Sequence, residues 1–137
     1  MREILFRGKT DDGEWVYGSF CMDAREQFNG LCGVDGFIRL YDKAKGKMQT
    51  YEVDRETVGQ YTGLKDKNGE RIFEGDIAKV LQGKDKDIAY VGFENGAFML
   101  YPKTGNIYER TLWEYWYNDW DVEVIGNITD NPELLEK

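Results

Sequence analysis

"VGFENGAFML", residues 91–100, is the stretch on which the fold turns. Asn95-Gly96 is a two-residue turn signal of the kind that needs positive φ at both central positions, and the residues around it alternate at period two. Closing the chain there pairs Glu94 with Ala97, Phe93 with Phe98 and Val91 with Leu100, so that one face of the hairpin is wholly apolar. Upstream, Ile77 to Leu81 alternates in step, and the loop "QGKDKD" from Gln82 to Asp87 joins it on as a three-stranded meander. Ile77, Leu81, Ile88, Tyr90 and Met99 make the second face apolar as well, which predicts a sheet covered on both sides or curled into a small barrel.

The same punctuation recurs along the chain. Asp12-Gly13, Asp35-Gly36, Lys45-Gly46 and Asn68-Gly69 separate short stretches rich in β-branched and aromatic residues, such as "EWVYGSF", "GFIRLY" and "MQTYEV". The expected fold is mainly β, with antiparallel hairpins forming a small curled sheet or SH3-like barrel and a short C-terminal helix. That helix is read in "NPELLEK", where Asn131 caps, Pro132 takes the first helical position and Glu133 faces the positive end of the dipole. A single helical turn is also expected at "DRETVG", with Asp54 as cap and Gly59 as stop. No internal repeat or low-complexity linker interrupts the pattern, so residues 1–137 read as one domain.

Composition bounds the function. The 137 residues hold 15% aromatic and 32% charged side chains, which is a folded, heavily charged chain long enough to bury its own core. A net charge of -8 opposes adhesion to phosphate backbones or anionic lipid, where affinity comes from Lys and Arg displacing counterions. Cys21 and Cys32 cannot complete a four-ligand zinc site, and they read as free structural thiols in a reducing compartment. "MREILFRGK" lacks the apolar core of a secretory signal, and no window reaches eighteen apolar residues, so the cytoplasm is the expected location.

The densest motif-like stretch is "GQYTGLKDKNGERIFEGDI", residues 59–77. Asp66-Lys67-Asn68-Gly69 reads as a tight turn, with Asp in its first place and Gly in its last. Asp66, Asn68 and Gly69 share the spacing of part of a calcium loop. However, Leu64 stands where the first ligand belongs and Gly75 where the bidentate Glu belongs. No Gly-Lys-Ser or Gly-Lys-Thr follows a glycine-rich run, which removes a phosphate loop. Gly75-Asp76 reads as the corner before the strand Ile77 to Leu81. This stretch, with "EVIGNITDNPELL" (Glu123 to Leu135), "FRGK" and "WVYG", resembles the YopX family of bacteriophage and prophage proteins over the whole chain. The resemblance implies a phage-encoded, mainly β protein acting in the bacterial host cytoplasm, and it implies no reaction.

The chain has no histidine, which removes Ser-His-Asp and Cys-His catalysis and histidine metal sites. No catalytic residue, cofactor or metal ligand is assigned, and the chain is read as a non-enzyme. Glu109, Glu114, Asp119, Asp121 and Glu123 lie beside aromatics, and a carboxylate-dependent hydrolase is the third reading. "TLWEYWYNDWDVEVIG", residues 111–126, admits two structures. A turn at Asn118-Asp119 pairs Tyr117 with Trp120, Tyr115 with Val122 and Trp113 with Val124. A helix instead puts Trp113, Tyr117 and Trp120 on one stripe, and periodicity leaves both open. The aromatics here read as core, except that Trp116, set among carboxylates, is the candidate anchor for a protein contact.

Lys65, Lys67, Arg71, Lys79, Lys84 and Lys86 are the cations a nucleic acid would use if they gather at one end of a barrel, which is the second reading. Asp66, Glu70, Asp85 and Asp87 alternate with them, so the expected surface is mixed and nearly neutral. The first expectation is a non-catalytic accessory protein that binds protein. Its partner is either another copy of itself in a homo-oligomer or a host or phage protein, and no membrane is involved.

Overall fold

The computed structural model describes residues 2–22 and 36–136, and the chain forms two compact units, Met1–Gln60 and Tyr61–Lys137. It is mainly β, and every strand among the described residues pairs antiparallel.

The first unit is a meander of β1 (Phe6–Lys9), β2 (Trp15–Met22), β3 (Gly36–Asp42) and the greater part of β4 (Lys47–Lys65). β1 also pairs with β4 through Phe6↔Gln60 and Arg7↔Gly59, so the four strands curl round and close. Closure removes the open edges that would otherwise invite a neighbour. Ile38 and Val53 are fully buried, and Phe6 packs on Phe20 with ring centroids 5.9 Å apart. "FRGK" owes its glycine to this packing, because a Cβ on Gly8 would stand 2.8 Å from Val53 Cγ2.

The helical turn expected at "DRETVG" is not formed. Asp54 does act as a local cap, its Oδ1 accepting the Glu56 N–H at 3.0 Å, but the result is a bulge within β4. The Thr57 hydroxyl donates to the Asp54 carbonyl at 2.6 Å and accepts the Lys9 N–H at 2.8 Å. The bulge therefore supplies the acceptor that Lys9 needs where the β1–β4 register shifts. Cys21 is a half-buried free thiol on β2, while Cys32 and Asp35 lie outside the described residues.

In the second unit the end of β4 pairs with β5 (Arg71–Phe73). A five-stranded sheet follows, in the order β10 (Asp121–Asn127), β6 (Asp76–Gln82), β7 (Asp85–Glu94), β8 (Ala97–Pro102), β9 (Arg110–Thr111). The hairpin at Asn95-Gly96 has the register read from sequence, with Glu94↔Ala97, Phe93↔Phe98 and Val91↔Leu100. Its turn residues sit at φ 52° and 83°, the conformation that Asn-Gly tolerates best. Ala78, Val80, Ala89, Val91 and Leu100 form the buried face, and Ile72, Ile107, Leu112, Tyr115 and Val122 close over it. On the reverse face Ile77 is buried, Leu81, Ile88 and Met99 are half-buried, and Tyr90 is exposed.

Two connections differ from expectation. β6 and β7 extend to Gln82↔Asp85, so the six-residue loop contracts to a tight turn at Gly83-Lys84, with Gly83 at φ 62°. The C-terminal helix is one 3₁₀ turn, Pro132–Leu135, and the Asn131 side chain does not cap it. Asn131 Oδ1 instead accepts the Asn127 N–H at 3.2 Å, tying the turn back to the end of β10. No helix among the described residues is long and apolar enough to cross a membrane.

Candidate functional site

The segment with two possible structures resolves as helix: α1 spans Leu112–Tyr117. Thr111 is its N-cap, with Oγ1 accepting the Glu114 N–H at 3.3 Å, and Glu114 reaches back to the Thr111 hydroxyl at 3.4 Å. "TLWE" is thus a Thr-x-x-Glu capping signature, the sequence signal that decides for helix over hairpin here. At the other end Asp119 N–H bonds the Trp116 carbonyl at 3.2 Å and Trp120 N–H bonds the Tyr115 carbonyl at 3.1 Å. Asp119 takes the left-handed conformation, φ 56°, and the Trp120 ring folds onto Tyr115 with centroids 5.0 Å apart. Both bonds and the ring contact are those of a Schellman stop. Val122 and Val124, expected opposite Tyr115 and Trp113, pair instead with Val80 and Ala78 of β6.

A six-residue helix between two such ends has one stripe to bury. Leu112 and Tyr115 take it, at 2% and 0% exposure. The Tyr115 hydroxyl donates to the Tyr108 carbonyl at 3.0 Å, and burial pushes its pKa above 10.0 against the opposing pull of Arg110. Trp113, Trp116 and Tyr117 occupy the opposite stripe, at spacing i, i+3, i+4, where a helix normally carries polar residues. They are 55%, 57% and 66% exposed, and Trp113 stacks on Tyr117 at 4.9 Å. Trp113 and Tyr117 are therefore not the core residues the sequence reading made them.

Beside this stripe lies a groove of about 610 Å³, bordered by Trp116, Tyr117 and Trp120, with Leu64, Ile72, Leu112 and Val122 as apolar lining. Its charged border carries both signs, Lys65 and Lys67 with Asp119 and Asp121. The turn at residues 66–69 shapes the groove. Gly69 N–H bonds the Asp66 carbonyl at 3.0 Å, and Asp66 Oδ1 accepts the N–H groups of Asn68 and Glu70, both at 2.9 Å. Asp66 Oδ2 takes the Val124 N–H at 2.9 Å and Lys67 N–H bonds the Val122 carbonyl at 3.0 Å, so the turn covers the outer edge of β10. The glycine- and charge-rich stretch at residues 59–77 is scaffold at Asp66 and at Asp76, whose buried carboxylate accepts the Phe73 N–H at 2.7 Å.

The six cations do not converge. Lys65 and Lys67 border the groove, and Lys67 also pairs with Glu123 at 3.3 Å. Arg71 lies opposite Lys65 and over the Tyr61 ring. Lys79 and Lys86 line a different pocket, and Lys84 stands at the tip of the β6–β7 turn. Of the five carboxylates, Glu114 is held by Arg110 at 2.9 Å and Glu123 by Lys67. Among the described residues no three His, Cys, Asp or Glu side chains gather as a metal site.

Among the described residues, hairpins closed by Gly turns make this a mainly antiparallel β protein, and in its second unit a short α-helix turns an aromatic stripe outward beside a surface groove. The family model described as YopX protein matches residues 5–136, and the chain belongs to the YopX family. A crystal structure of protein EF1440 from Enterococcus faecalis is similar, with a TM-score of 0.57 and 25% identity. The match covers 99% of this chain and 100% of that one. Comparison with curated proteins gave no match.

Proposed function

We propose that this chain is a non-catalytic accessory module that works by protein–protein contact, and that the partner it is built for is a second copy of itself. The observation that carries this is the outward stripe of α1. Three large aromatics on a helix of six residues stand exposed beside an apolar groove. Trp and Tyr are the side chains that anchor protein interfaces, and a contiguous exposed apolar patch favours burial against a partner. A two-fold contact needs a self-complementary surface. The border of this groove supplies one, because Lys65 and Lys67 can meet Asp119 and Asp121 of the second copy. The resemblance to phage and prophage proteins supports a setting in the bacterial host cytoplasm. The separation of the six cations and the mixed border of the groove weigh against a nucleic-acid surface there.

Sedimentation velocity at micromolar concentration tests the reading, with Trp116→Ala/Tyr117→Ala as the variant. An oligomer that the variant dissociates supports it. A wild-type monomer, or an oligomer indifferent to both substitutions, removes it.

A further inference from the structure

Away from the groove, the reverse face of the second unit's sheet brings three lysines to one pocket. Lys79 on β6 lies directly opposite Ile88 on β7. Lys86 precedes Ile88 by two positions and so shares its face. Lys103 follows β8 and donates its backbone N–H to the Ile88 carbonyl at 2.7 Å, which completes the row across three strands. The three lysines line one pocket of about 310 Å³ with Ile88, Asp87, Thr104 and Asn106.

The charges in this pocket are unbalanced. Among the described residues neither Lys79 nor Lys86 makes an ion pair, and Lys103 Nζ donates only to the Leu134 carbonyl, at 3.2 Å. The one carboxylate lining the pocket, Asp87, is already engaged. Its oxygens accept the Thr104 hydroxyl at 2.8 Å and the N–H groups of Ile88, Thr104 and Asn106 at 2.8, 3.2 and 3.1 Å. Glu123, which faces Lys79 from β10, is paired with Lys67. In a chain of net charge -8, three lysines without ion pairs around one concavity outnumber its single carboxylate, Asp87, which stays ionised, and this excess is a local reversal of sign.

We infer that this pocket binds a small, multiply charged oxyanion of the phosphate type, its negative oxygens held among Lys79, Lys86 and Lys103. Lysine serves phosphate as a point charge, and its flexible stem lets three heads close on one anion. The pocket is larger than the anion alone, and Ile88 with the lysine stems gives an apolar floor for the organic part of a phosphate monoester.

The test is calorimetric titration of inorganic pyrophosphate into the full chain at low ionic strength, with a single-stranded oligonucleotide titrated in parallel. Saturable pyrophosphate binding is expected. Lys79→Ala/Lys103→Ala should weaken it by about ten-fold per lysine removed, with circular dichroism showing the fold retained. Lys84→Ala deletes the same charge from the neighbouring turn and should leave the affinity unchanged. Absence of pyrophosphate binding would overturn the site, as would binding that Lys79→Ala/Lys103→Ala does not weaken. Binding of the oligonucleotide without pyrophosphate would overturn the small-anion assignment.

Discussion

Asp66 carries more backbone structure than any other carboxylate of the groove. It is 8% exposed and accepts three N–H groups, two from its own turn and one from β10, fifty-eight positions away. Asp66→Ala should cost about 2–3 kcal/mol in chemical denaturation, because three donors lose their acceptor together. Only the half of this role within the turn was legible in the sequence. Asp-x-x-Gly announces a turn, but nothing local announces that the second oxygen reaches Val124. Tyr101 makes a second residue-scale prediction. Its hydroxyl donates to Glu94 at 2.5 Å, and that bond, with lesser help from desolvation and the charge of Glu94, pushes its pKa up to about 12. A raised pKa means the bond stabilises the fold fully below pH 10.0, and that contribution disappears as the pH climbs through about 12. Ultraviolet titration of Glu94→Gln should show one tyrosine returning toward 10.0, and an unchanged profile would contradict the assignment.

At the scale of elements the decisive piece is α1, because its two ends determine which aromatics face outward. Thr111→Ala should destabilise the protein by about 1 kcal/mol, the usual worth of a lost N-cap. Asp119→Gly should stabilise it by about 0.5 kcal/mol by relieving a left-handed non-glycine residue at the helix stop. Thermal melts of both variants check the pair of opposite signs. The hairpin at residues 91–100 was readable down to its pairing, since Asn-Gly fixes turn type and turn type fixes register. Residues 111–120 were not readable by periodicity, because both stripes of the helix are apolar and the alternation suits a strand equally well. The capping residues held the answer. "DRETVG" failed for the converse reason: a good cap was present, but Thr57 and Lys9 used the local geometry to bulge a strand. The lysine pocket was out of reach as well, since Lys103 joins Lys79 and Lys86 only through pairing across three strands.

For the whole molecule, salt discriminates between the two proposed surfaces. The net charge of -8 opposes the approach of identical chains, and at physiological ionic strength that repulsion is screened beyond about 8 Å, whereas apolar contact is not. Added salt should therefore strengthen self-association through the aromatic stripe, because relief of the general repulsion outweighs the screening of the Lys65 and Lys67 border pairs, while weakening oxyanion binding at the lysine pocket. Opposite trends would assign the two surfaces to different physics, and parallel trends would contradict one of the assignments. If the proposed function is right, Trp116 and Tyr117 stand exposed in the isolated chain because a second copy covers them in the working assembly. Sedimentation velocity of the wild type and of Trp116→Ala/Tyr117→Ala at micromolar concentration addresses it most directly. The account predicts an oligomer for the wild type and a monomer for the variant, and a wild type that sediments strictly as a monomer would contradict it.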